Sequence, residues 1–153
     1  MEGYTVKLVD ITKETWLEVL FLTTNQNGMP TLCEEQVASN ALSIVDSIYE
    51  KGWIIKAIEN EGQLIDFTMY GYCEKQHFYE LCRDLIDRKY QNKGYGTQAI
   101  KLVLEEMKSF DDCHEVYLST GVDNLAAKHV YEKNGFLPEN RKNDNEDLYK
   151  MVS

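Results

Sequence analysis

Five segments of the 153-residue chain carry apolar side chains at every second position or in short runs, which is the pattern of β-strands. These segments are 4–9, 53–58, 63–72, 79–87 and 115–120. The turn Asn60-Glu61-Gly62 joins the second segment to the third and predicts a hairpin. Two further strands are predicted on either side of the polar turn 139–147.

Four segments repeat their apolar positions at helical spacing. The first begins after Thr12, and the other three span 34–49, 94–109 and 124–134. The last is ended by Gly135 at the usual C-terminal position. The positions predicted to be buried are Trp16, Val19 and Leu20 in the first helix and Val37, Ala41, Leu42, Val45 and Ile48 in the second.

The predicted order of elements is βααβββαβαββ, and no internal repeat or linker interrupts it. This order predicts a mixed α/β (α+β) fold with six to seven strands flanked by four helices. The length is that of one ordinary domain, here residues 1–153. Residues 25–30 contain Asn, Gly and Pro and predict a loop.

The formal net charge of −10 argues against nucleic acid and anionic membranes as partners, because the chain has no basic excess to release counterions. It favours a cationic substrate, although a net negative charge also serves solubility alone. No apolar run reaches the length of a membrane span, and residues 1–7 lack the pattern of a secretory signal. The four cysteines include no C-x-x-C pair. These features predict a cytoplasmic protein in a reduced compartment.

The sequence predicts no metal site. The three histidines, His77, His114 and His129, have no metal-ligand spacing with one another or with a cysteine. The acidic run 144–147 lacks the spacing and the central glycine of an EF-hand calcium loop. We interpret this run as a solvated hairpin tip.

The turn 91–97, Gln-Asn-Lys-Gly-Tyr-Gly-Thr, lies between a predicted strand and a predicted helix. Glycine permits positive φ and a close backbone approach, and the first N–H groups of a helix are unpaired and positively polarised. The turn is therefore a candidate phosphate site, although glycines also serve close packing alone. No G-x-x-x-x-G-K-[ST] or G-x-G-x-x-G motif is present, which argues against Walker and Rossmann nucleotide sites.

Two motifs carry a resemblance to a known family. The run 83–96, RDLIDRKYQNKGYG, resembles the acyl-CoA motif of the GNAT N-acetyltransferases, an apolar strand followed by [QR]-x-x-G-x-[GA] at a helix start. The run 124–136, NLAAKHVYEKNGF, matches a second motif of that family, N-x-x-A-x-x-x-Y-x-K-x-G-F. The resemblance covers essentially the whole chain. It implies a mostly antiparallel twisted sheet and transfer of an acetyl group from acetyl-CoA to an amine.

The resemblance also implies which residues bind acetyl-CoA. Backbone amides of the glycine turn would hold the pyrophosphate, and the edge of the preceding strand would pair with the pantetheine arm. An amide of that edge would hold the oxyanion as it forms. Further contacts would come from the second motif. The residues so assigned are Leu85, Ile86, Asp87, Gln91, Asn92, Lys93, Gly94, Tyr95, Gly96, Thr97, Asn124 and Lys133.

Aminolysis of a thioester requires a neutral amine and a proton for the departing thiolate. Tyr131 resembles the tyrosine that supplies this proton in many family members. The alternative is an aromatic side chain that packs on the sheet beside Tyr117, Val130 and Phe136.

Glu80 lies where some family members carry a catalytic glutamate, so it is the candidate base; the alternative is a solvated strand end. Strict alternation places Glu80, Cys82 and Asp84 on one face of the strand, where a carboxylate pair would attract an ammonium group. The alternative for Asp84 is a structural ion pair with a nearby base.

Within the family, the runs 66–71 and 83–96 are similar to bacterial diamine and polyamine N-acetyltransferases, as is the segment with Glu34 and Glu35. The resemblance implies a polyamine such as spermidine or spermine, bound by Glu34, Glu35 and Asp84. The alternative for the two glutamates is the acidic first turn of a helix.

Other interpretations stay open. Many relatives carry glycine where this chain has Asp66, which fits a bulge, a substrate carboxylate or an edge residue. The same chemistry could act on an aminoglycoside, an amino acid or a protein N-terminus, or the chain could be a catalytically idle acyl-CoA sensor. Family members often pair as dimers, so the resemblance leaves both a monomer and a homodimer open.

Overall fold

A computed structural model describes residues 5–24, 33–34, 37–38, 40–120, 122–123, 125–143 and 145–152, with the backbone alone at 33–34, 37–38, 126 and 143. The predicted loop 25–30 lies outside these residues. The strands are β1 Val6–Asp10, β2 Cys33–Glu34, β3 Val37–Ala38, β4 Trp53–Asn60, β5 Gln63–Cys73, β6 Phe78–Ile86, β7 Glu115–Thr120, β8 Leu137–Asn143 and β9 Glu146–Val152. The helices are α1 Trp16–Leu20, α2 Asn40–Tyr49, α3 Tyr95–Lys108 and α4 Leu125–Lys133, with a 3₁₀ helix at Arg88–Tyr90.

Seven strands form one sheet in the order β1-β4-β5-β6-β7-β9-β8, and β2 pairs with β3 as a separate hairpin. Neighbours in the sheet are antiparallel except β6 and β7, which run parallel. These two share one register pair, Glu80 with Tyr117, and are not paired beyond it. The sheet therefore opens between the C-terminal ends of β6 and β7. The predicted mixed sheet of six to seven strands with four helices is confirmed.

Helices cover both faces of the sheet. On one face, Ile100 and Val103 of α3 pack in a cluster with Leu81. On the other, Val19 of α1 packs in a cluster with Phe67. We call these the α3 face and the α1 face. Helix α4 lies on the α3 face, because its partly buried apolar side chains contact the first cluster.

A β-bulge in β6 decides which side chains reach which face. Cys82 is an extra residue with no partner on β5, since the residues on either side of it pair with adjacent residues of β5. Leu81 consequently packs on the α3 face and Leu85 on the α1 face, although strict alternation would put both on one face. The same shift separates Glu80, on the α1 face, from Asp84, on the α3 face. The prediction that these two carboxylates share a face is wrong.

The second helix begins later than predicted and buries different residues. It starts at Asn40, since β2 and β3 occupy part of the predicted helix. Val45 and Ile48, predicted to be buried, are 47% and 69% exposed. The buried positions are Asn40 and Ser43, which accept hydrogen bonds from the Arg83 guanidinium at 3.4 and 2.7 Å. A buried arginine requires such partners, so the buried face of α2 is polar.

Three smaller predictions have mixed outcomes. Val19 is buried as predicted, but Trp16 is 48% exposed. The predicted turn 139–147 is mostly strand, because β8 continues to Asn143 and β9 begins at Glu146. Gly135 has φ +96° directly after α4, which confirms the predicted helix end.

The turn after α2 and strand β5 approach each other at two glycines. Gly71 has φ +142°, and a Cβ there would lie 2.0 Å from the carbonyl oxygen of Gly52. Gly52 has φ +97°, and a Cβ there would lie 2.2 Å from the carbonyl oxygen of Tyr72. Only glycine fits either position, so this contact fixes the end of α2 against the sheet.

We predict that Gly71→Ala lowers the free energy of unfolding by about 3 kcal/mol, because the methyl group displaces backbone that has no room to move. The matched control is Gly62→Ala in the β4–β5 hairpin, which has φ +81° but no atom within 4 Å of a Cβ. Its cost is the backbone strain alone, about 1–2 kcal/mol. Urea unfolding measures both, and equal losses would contradict the close contact at Gly71.

Candidate active site

The edge of β6 that faces β7 is open beyond Glu80. The Asp87 N–H donates to the Ile65 carbonyl at 2.8 Å, so odd-numbered residues of this end pair with β5. Asp84 and Ile86 accordingly direct their N–H and C=O groups towards β7. Of the three residues assigned to the pantetheine arm, Ile86 therefore presents its backbone at the open edge, whereas Leu85 and Asp87 turn theirs to β5.

Asp87 anchors the segment that leads to the glycine turn. Its side chain is buried, with Oδ1 accepting from the Lys89 N–H and Oδ2 from the Thr23 N–H, both at 3.0 Å. The first bond starts the 3₁₀ helix, and the second ties it to the segment after α1. The Gln91 side-chain amide donates to the Ile86 carbonyl at 3.2 Å and holds the start of the turn against β6.

The glycine turn presents the N-terminus of α3 to open space. Gly94 is the N-cap residue with φ +81°, and Asn92 before it has φ +63°. Because glycine has no side chain to cap the helix, the N–H groups of Tyr95, Gly96 and Thr97 receive no acceptor from it. A Cβ at Gly94 or Gly96 would meet no atom within 4 Å. The turn thus has both the polarity and the room that a phosphate requires.

Glu80 is a buried carboxyl at the point where β6 and β7 meet. Its side chain is 7% exposed, so the alternative of a solvated strand end is wrong. Burial raises the pKa of Glu80 to about 7; the negative charge of Glu146 adds to the rise, and a hydrogen bond from Cys73 opposes it. A carboxyl with a pKa near neutrality can accept and release a proton at neutral pH, as a general base must.

Tyr131 on α4 packs on the sheet, as the structural interpretation expects, and its role as the acid remains a prediction. Its ring packs 6.3 Å from that of Phe136 and 6.5 Å from that of Tyr149, measured between centroids. Tyr117, an expected neighbour, instead lies on the α1 face and stacks on Phe78 at 4.3 Å. Burial raises the pKa of Tyr131 to about 12, and the negative charges of Asp84 and Glu146 contribute. The hydroxyl therefore keeps its proton at neutral pH and can donate it.

The ion-pair interpretation of Asp84 has partial support, because the charge of Arg83, the neighbouring base, acts on it. The Arg83 side chain itself lies on the α1 face, where Ser43 and Asn40 accept from it and its Cζ lies 5.9 Å from the centre of the Phe67 ring. Burial raises the pKa of Asp84, whereas a hydrogen bond with Asp66 and the charge of Arg83 lower it.

Several predicted site residues are not positioned by the described part of the chain. Glu35 and Asn124 lie outside it, and Glu34 is described by its backbone alone. That backbone is in strand β2, so Glu34 does not begin a helix and the alternative of an acidic first turn is wrong for it. Lys93 and Lys133 are exposed. The assigned roles of these residues remain predictions.

Glu146 was not identified from the sequence as a site residue, and Asp66 was noted there only as a departure from the family. Glu146 lies in the run taken for a solvated hairpin tip, but it is partly buried and its Oε1 accepts from the Ser119 hydroxyl at 3.1 Å. Its charge acts on both Glu80 and Tyr131. Asp66 is fully buried on a central strand, so it is not an edge residue; the bulge in β5 is at Ile65. The departure from glycine was the one sequence signal for Asp66.

Two features are absent from the described residues. No group of three or more His, Cys, Asp and Glu side chains is arranged to hold a metal ion there. None of the helices described has both the length and the apolar composition needed to cross a membrane.

Residues 16–136, which contain β6, the glycine turn, α3 and Tyr131, match the acetyltransferase (GNAT) family. This match covers most of the chain. The chain belongs to the GNAT family of acetyltransferases. The sheet that opens beside a glycine turn is thus part of a GNAT acetyltransferase fold, the family that the two sequence motifs implied.

Relatives of this GNAT domain include acetyltransferases with two kinds of amine in their names. A spermine/spermidine N(1)-acetyltransferase of Bacillus subtilis is 35% identical over 82 residues, which are 50% of this chain and 54% of that protein. N-alpha-acetyltransferase 30 of Xenopus laevis is 39% identical over 56 residues, 37% of this chain and 20% of that protein. The matched part thus spans about half, or less, of the length of these curated relatives.

Solved structures share the fold at low sequence identity. A spermidine N-acetyltransferase from Vibrio cholerae, in complex with CoA and spermine, has a TM-score of 0.70 and 21% identity over 97% of this chain and 95% of that one. The PaiA N-acetyltransferase from Thermoplasma acidophilum, in complex with coenzyme A, has a TM-score of 0.66 and 17% identity over 98% of this chain and 100% of that one.

The raised pKa of Glu80 predicts a pH-dependent stability. Between pH 4.5 and about 7 the unfolded chain releases this proton while the native state retains it, so native stability falls as pH rises through that window. The loss is about 3 kcal/mol. Glu80→Gln keeps a neutral side chain of the same shape, so it should match the wild type at pH 4.5 and be the more stable protein above pH 7.

Urea unfolding of both proteins at the two pH values measures this difference. The matched control is Glu105→Gln on the exposed side of α3, which should follow the wild type at both pH values. An equal pH dependence in wild type and Glu80→Gln would show that Glu80 is not held neutral by the fold.

Proposed function

We propose that this GNAT domain transfers the acetyl group of acetyl-CoA to a primary amine of a small polyamine, of the spermidine or spermine type, by direct aminolysis. The observation that carries the proposal is the open edge between β6 and β7, which has a phosphate-ready turn at one end and Glu80 at the other. The name of the Bacillus subtilis relative supports the choice of amine.

The backbone would bind acetyl-CoA, which supplies the acyl group as an activated thioester. First-turn N–H groups of α3 would hold the pyrophosphate, because they point into open space at the positive end of the helix. The N–H and C=O groups of Asp84 and the N–H of Ile86 would pair with the pantetheine arm as an added strand. An N–H on this edge would also donate a hydrogen bond to the thioester oxygen and stabilise the negative charge that develops there.

Two side chains would move the protons. Glu80 takes the proton that the attacking ammonium group must lose, directly or through water, because its pKa is close to neutral. Tyr131 gives its proton to the departing sulfur, because its pKa of about 12 keeps the hydroxyl protonated until the thiolate forms. The two groups approach the open edge from opposite faces of the sheet.

Carboxylates on the α1 face would attract a polyamine. Glu80 and Glu146 lie there, and Asp46 of α2 and Glu50 just after it are close enough for their charges to raise the pKa of Cys82 and Cys73 respectively. Several negative charges on one face would concentrate and orient a multiply charged cation. We keep Glu34, Glu35 and Asp84 in the proposal as substrate contacts, with Asp84 acting from the α3 face.

A different amine is the second candidate function. The N-alpha-acetyltransferase 30 relatives carry in their name an acceptor that is not a polyamine, and the identity to them spans only 56 residues. An idle acyl-CoA binder is the third.

Cys73, Cys82 and Cys113 are free thiols, which favours the cytoplasm as the location in the proposal.

An amine panel with acetyl-CoA tests the proposed substrate, using thiol release as the signal. We predict the highest kcat/KM for spermidine or spermine over diamines, aminoglycosides, amino acids and N-terminal peptides. A peptide preferred over every polyamine would move the assignment to the second candidate. CoA binding without thiol release from any amine would establish the idle binder.

The role of Tyr131 is tested with Tyr131→Phe. We predict that kcat falls on the order of 10²-fold or more, with little change in acetyl-CoA affinity, because the variant keeps the ring and loses the acid. Tyr149→Phe removes the hydroxyl of a neighbouring ring on the same face and should keep its activity. Unchanged turnover of Tyr131→Phe would remove Tyr131 from the mechanism.

The pyrophosphate position is tested with Gly94→Val. CoA affinity should fall on the order of a hundredfold or more, because a branched side chain would fill the open space in front of the α3 amides. Gly62→Val is the matched control: it has the same φ of +81° and the same open surroundings, but it lies in the β4–β5 hairpin and not in the glycine turn. Calorimetric titration with CoA distinguishes them, and an equal affinity for both variants would refute the position.

A further inference from the structure

Asp66 and Asp84 form a buried carboxyl pair on the α3 face. Asp66 is 0% exposed on the central strand β5. The strand register places Asp66 opposite Ile86 and Thr68 opposite Asp84, so the two aspartates are diagonal neighbours on one face of adjacent strands. Apolar side chains occupy the core around both positions. The fold alone therefore gives no reason for an aspartate at either of them.

The oxygens of this pair lack donors. Among the described residues, no N–H or O–H group donates to either carboxyl oxygen of Asp66 or to Oδ1 of Asp84. The group that reaches Asp66 is the Asp84 carboxyl itself. Two carboxyl groups can hydrogen-bond only when one of them carries a proton, and two adjacent buried negative charges are strongly unfavourable. Burial raises the pKa of both residues, and the charge of Asp84 raises that of Asp66 further.

The positive charge of Arg83 acts on Asp84 and lowers its pKa, but by less than burial raises it. Lys56, on the same face of β4, forms an ion pair with Asp10. Arg83 lies on the α1 face and donates to α2. The side of α3 that packs on the sheet is apolar. The cluster on this face also contains other titratable groups, which are the hydroxyls of Tyr70, Tyr79, Tyr131 and Tyr149 and the thiol of Cys113.

Asp84 also acts on Tyr131. After burial, the charge of Asp84 is the largest cause of the raised pKa of the Tyr131 hydroxyl. Both side chains lie on the α3 face, and Asp84 also contributes backbone groups to the open edge. The carboxyl pair is therefore close to the proposed general acid and separated from Glu80 by the sheet.

We propose that Asp66 and Asp84 hold one proton between them, and that this proton restores Tyr131 after Tyr131 has protonated the departing thiolate. Asp66 is then a positioning residue, because it acts through Asp84 and Tyr131 and touches neither substrate. The proposal rests on the proposed function for the step at Tyr131, whereas the shared proton is a property of the free protein.

The step balances without a further reactant. The amine nitrogen forms a bond to the acyl carbon as the carbon–sulfur bond breaks, and the electron pair of that bond goes to sulfur. The Tyr131 O–H bond breaks as the S–H bond forms, and the phenolate then takes the shared proton from the carboxyl pair. Starting from the ammonium form, the nitrogen loses two protons, which Glu80 passes to water in turn, and the pair regains one proton from water. The net change is one proton moved from nitrogen to sulfur and one released to water.

The shared proton is tested by carbon NMR of the free protein with [4-¹³C]aspartate, which excludes the signal of Glu80. At pH 7 the wild type should show one aspartate carboxyl that remains protonated, and Asp66→Asn should lose it. Asp111→Asn, in the exposed turn after α3, is the control and should keep it. If Asp66→Asn does not fold, Asp84→Asn gives the same comparison from the other member of the pair. A wild-type spectrum with every aspartate ionised at pH 7 overturns the proposal.

The link to Tyr131 is tested by a double-mutant cycle on kcat. Asp66→Asn alone should lower kcat about tenfold with an unchanged CoA Kd. In a Tyr131→Phe background the same substitution should have no further effect, because the group through which it acts is absent. Independent losses that multiply would show a merely structural role and overturn the link.

These outcomes are distinct from a failure of the proposed function. If no amine is acetylated, the proposed function fails and the link to Tyr131 fails with it. The shared proton is decided by the aspartate spectrum alone, which needs neither acetyl-CoA nor an amine.

Discussion

Strand β6 is paired along one edge with β5 and meets β7 at a single position, and the rest of the site depends on this asymmetry. Backbone donors and acceptors left free in the middle of a sheet are costly unless something pairs with them. The free groups of Asp84 and Ile86 therefore define where an extended ligand can lie. The separation of β6 from β7 also brings Glu80 to one end of the opening and the amides of α3 to the other.

The bulge at Cys82 gives this opening two chemically different sides. It turns Glu80 and Arg83 to the α1 face and Asp84 to the α3 face. On the α1 face, Arg83 is satisfied by polar side chains of α2, and Glu80 has its charge partly suppressed by burial. On the α3 face, the two aspartates are neighbours, and we propose that they share a proton. An amine that approaches from the α1 face and an acid that acts from the α3 face are kept apart by the sheet itself.

The sequence predicted the elements whose pattern is local. The strand 115–120, the helix end at Gly135 and the glycine turn with its helix were all found, because periodicity and glycine punctuation act over a few residues. The sequence-based prediction of buried residues failed where the partner is distant along the chain. The buried face of α2 is polar because Arg83, which is 43 positions from Asn40, packs against it. One extra residue in β6 reversed the face of Glu80 relative to Asp84, and no local signal marked it. Glu146 was missed because an acidic run near a turn has the same composition whether it is solvated or packed against Ser119.

In the proposed function, the free edge of β6 receives the pantetheine arm of CoA. Amide hydrogen exchange of the protein with and without saturating CoA measures this contact residue by residue. We expect CoA to slow exchange at the N–H groups of Asp84 and Ile86 and at Tyr95 to Thr97, while Leu85 and Asp87, already bonded to β5, change little. Slowed exchange confined to α3, with Asp84 and Ile86 unaffected, would contradict it.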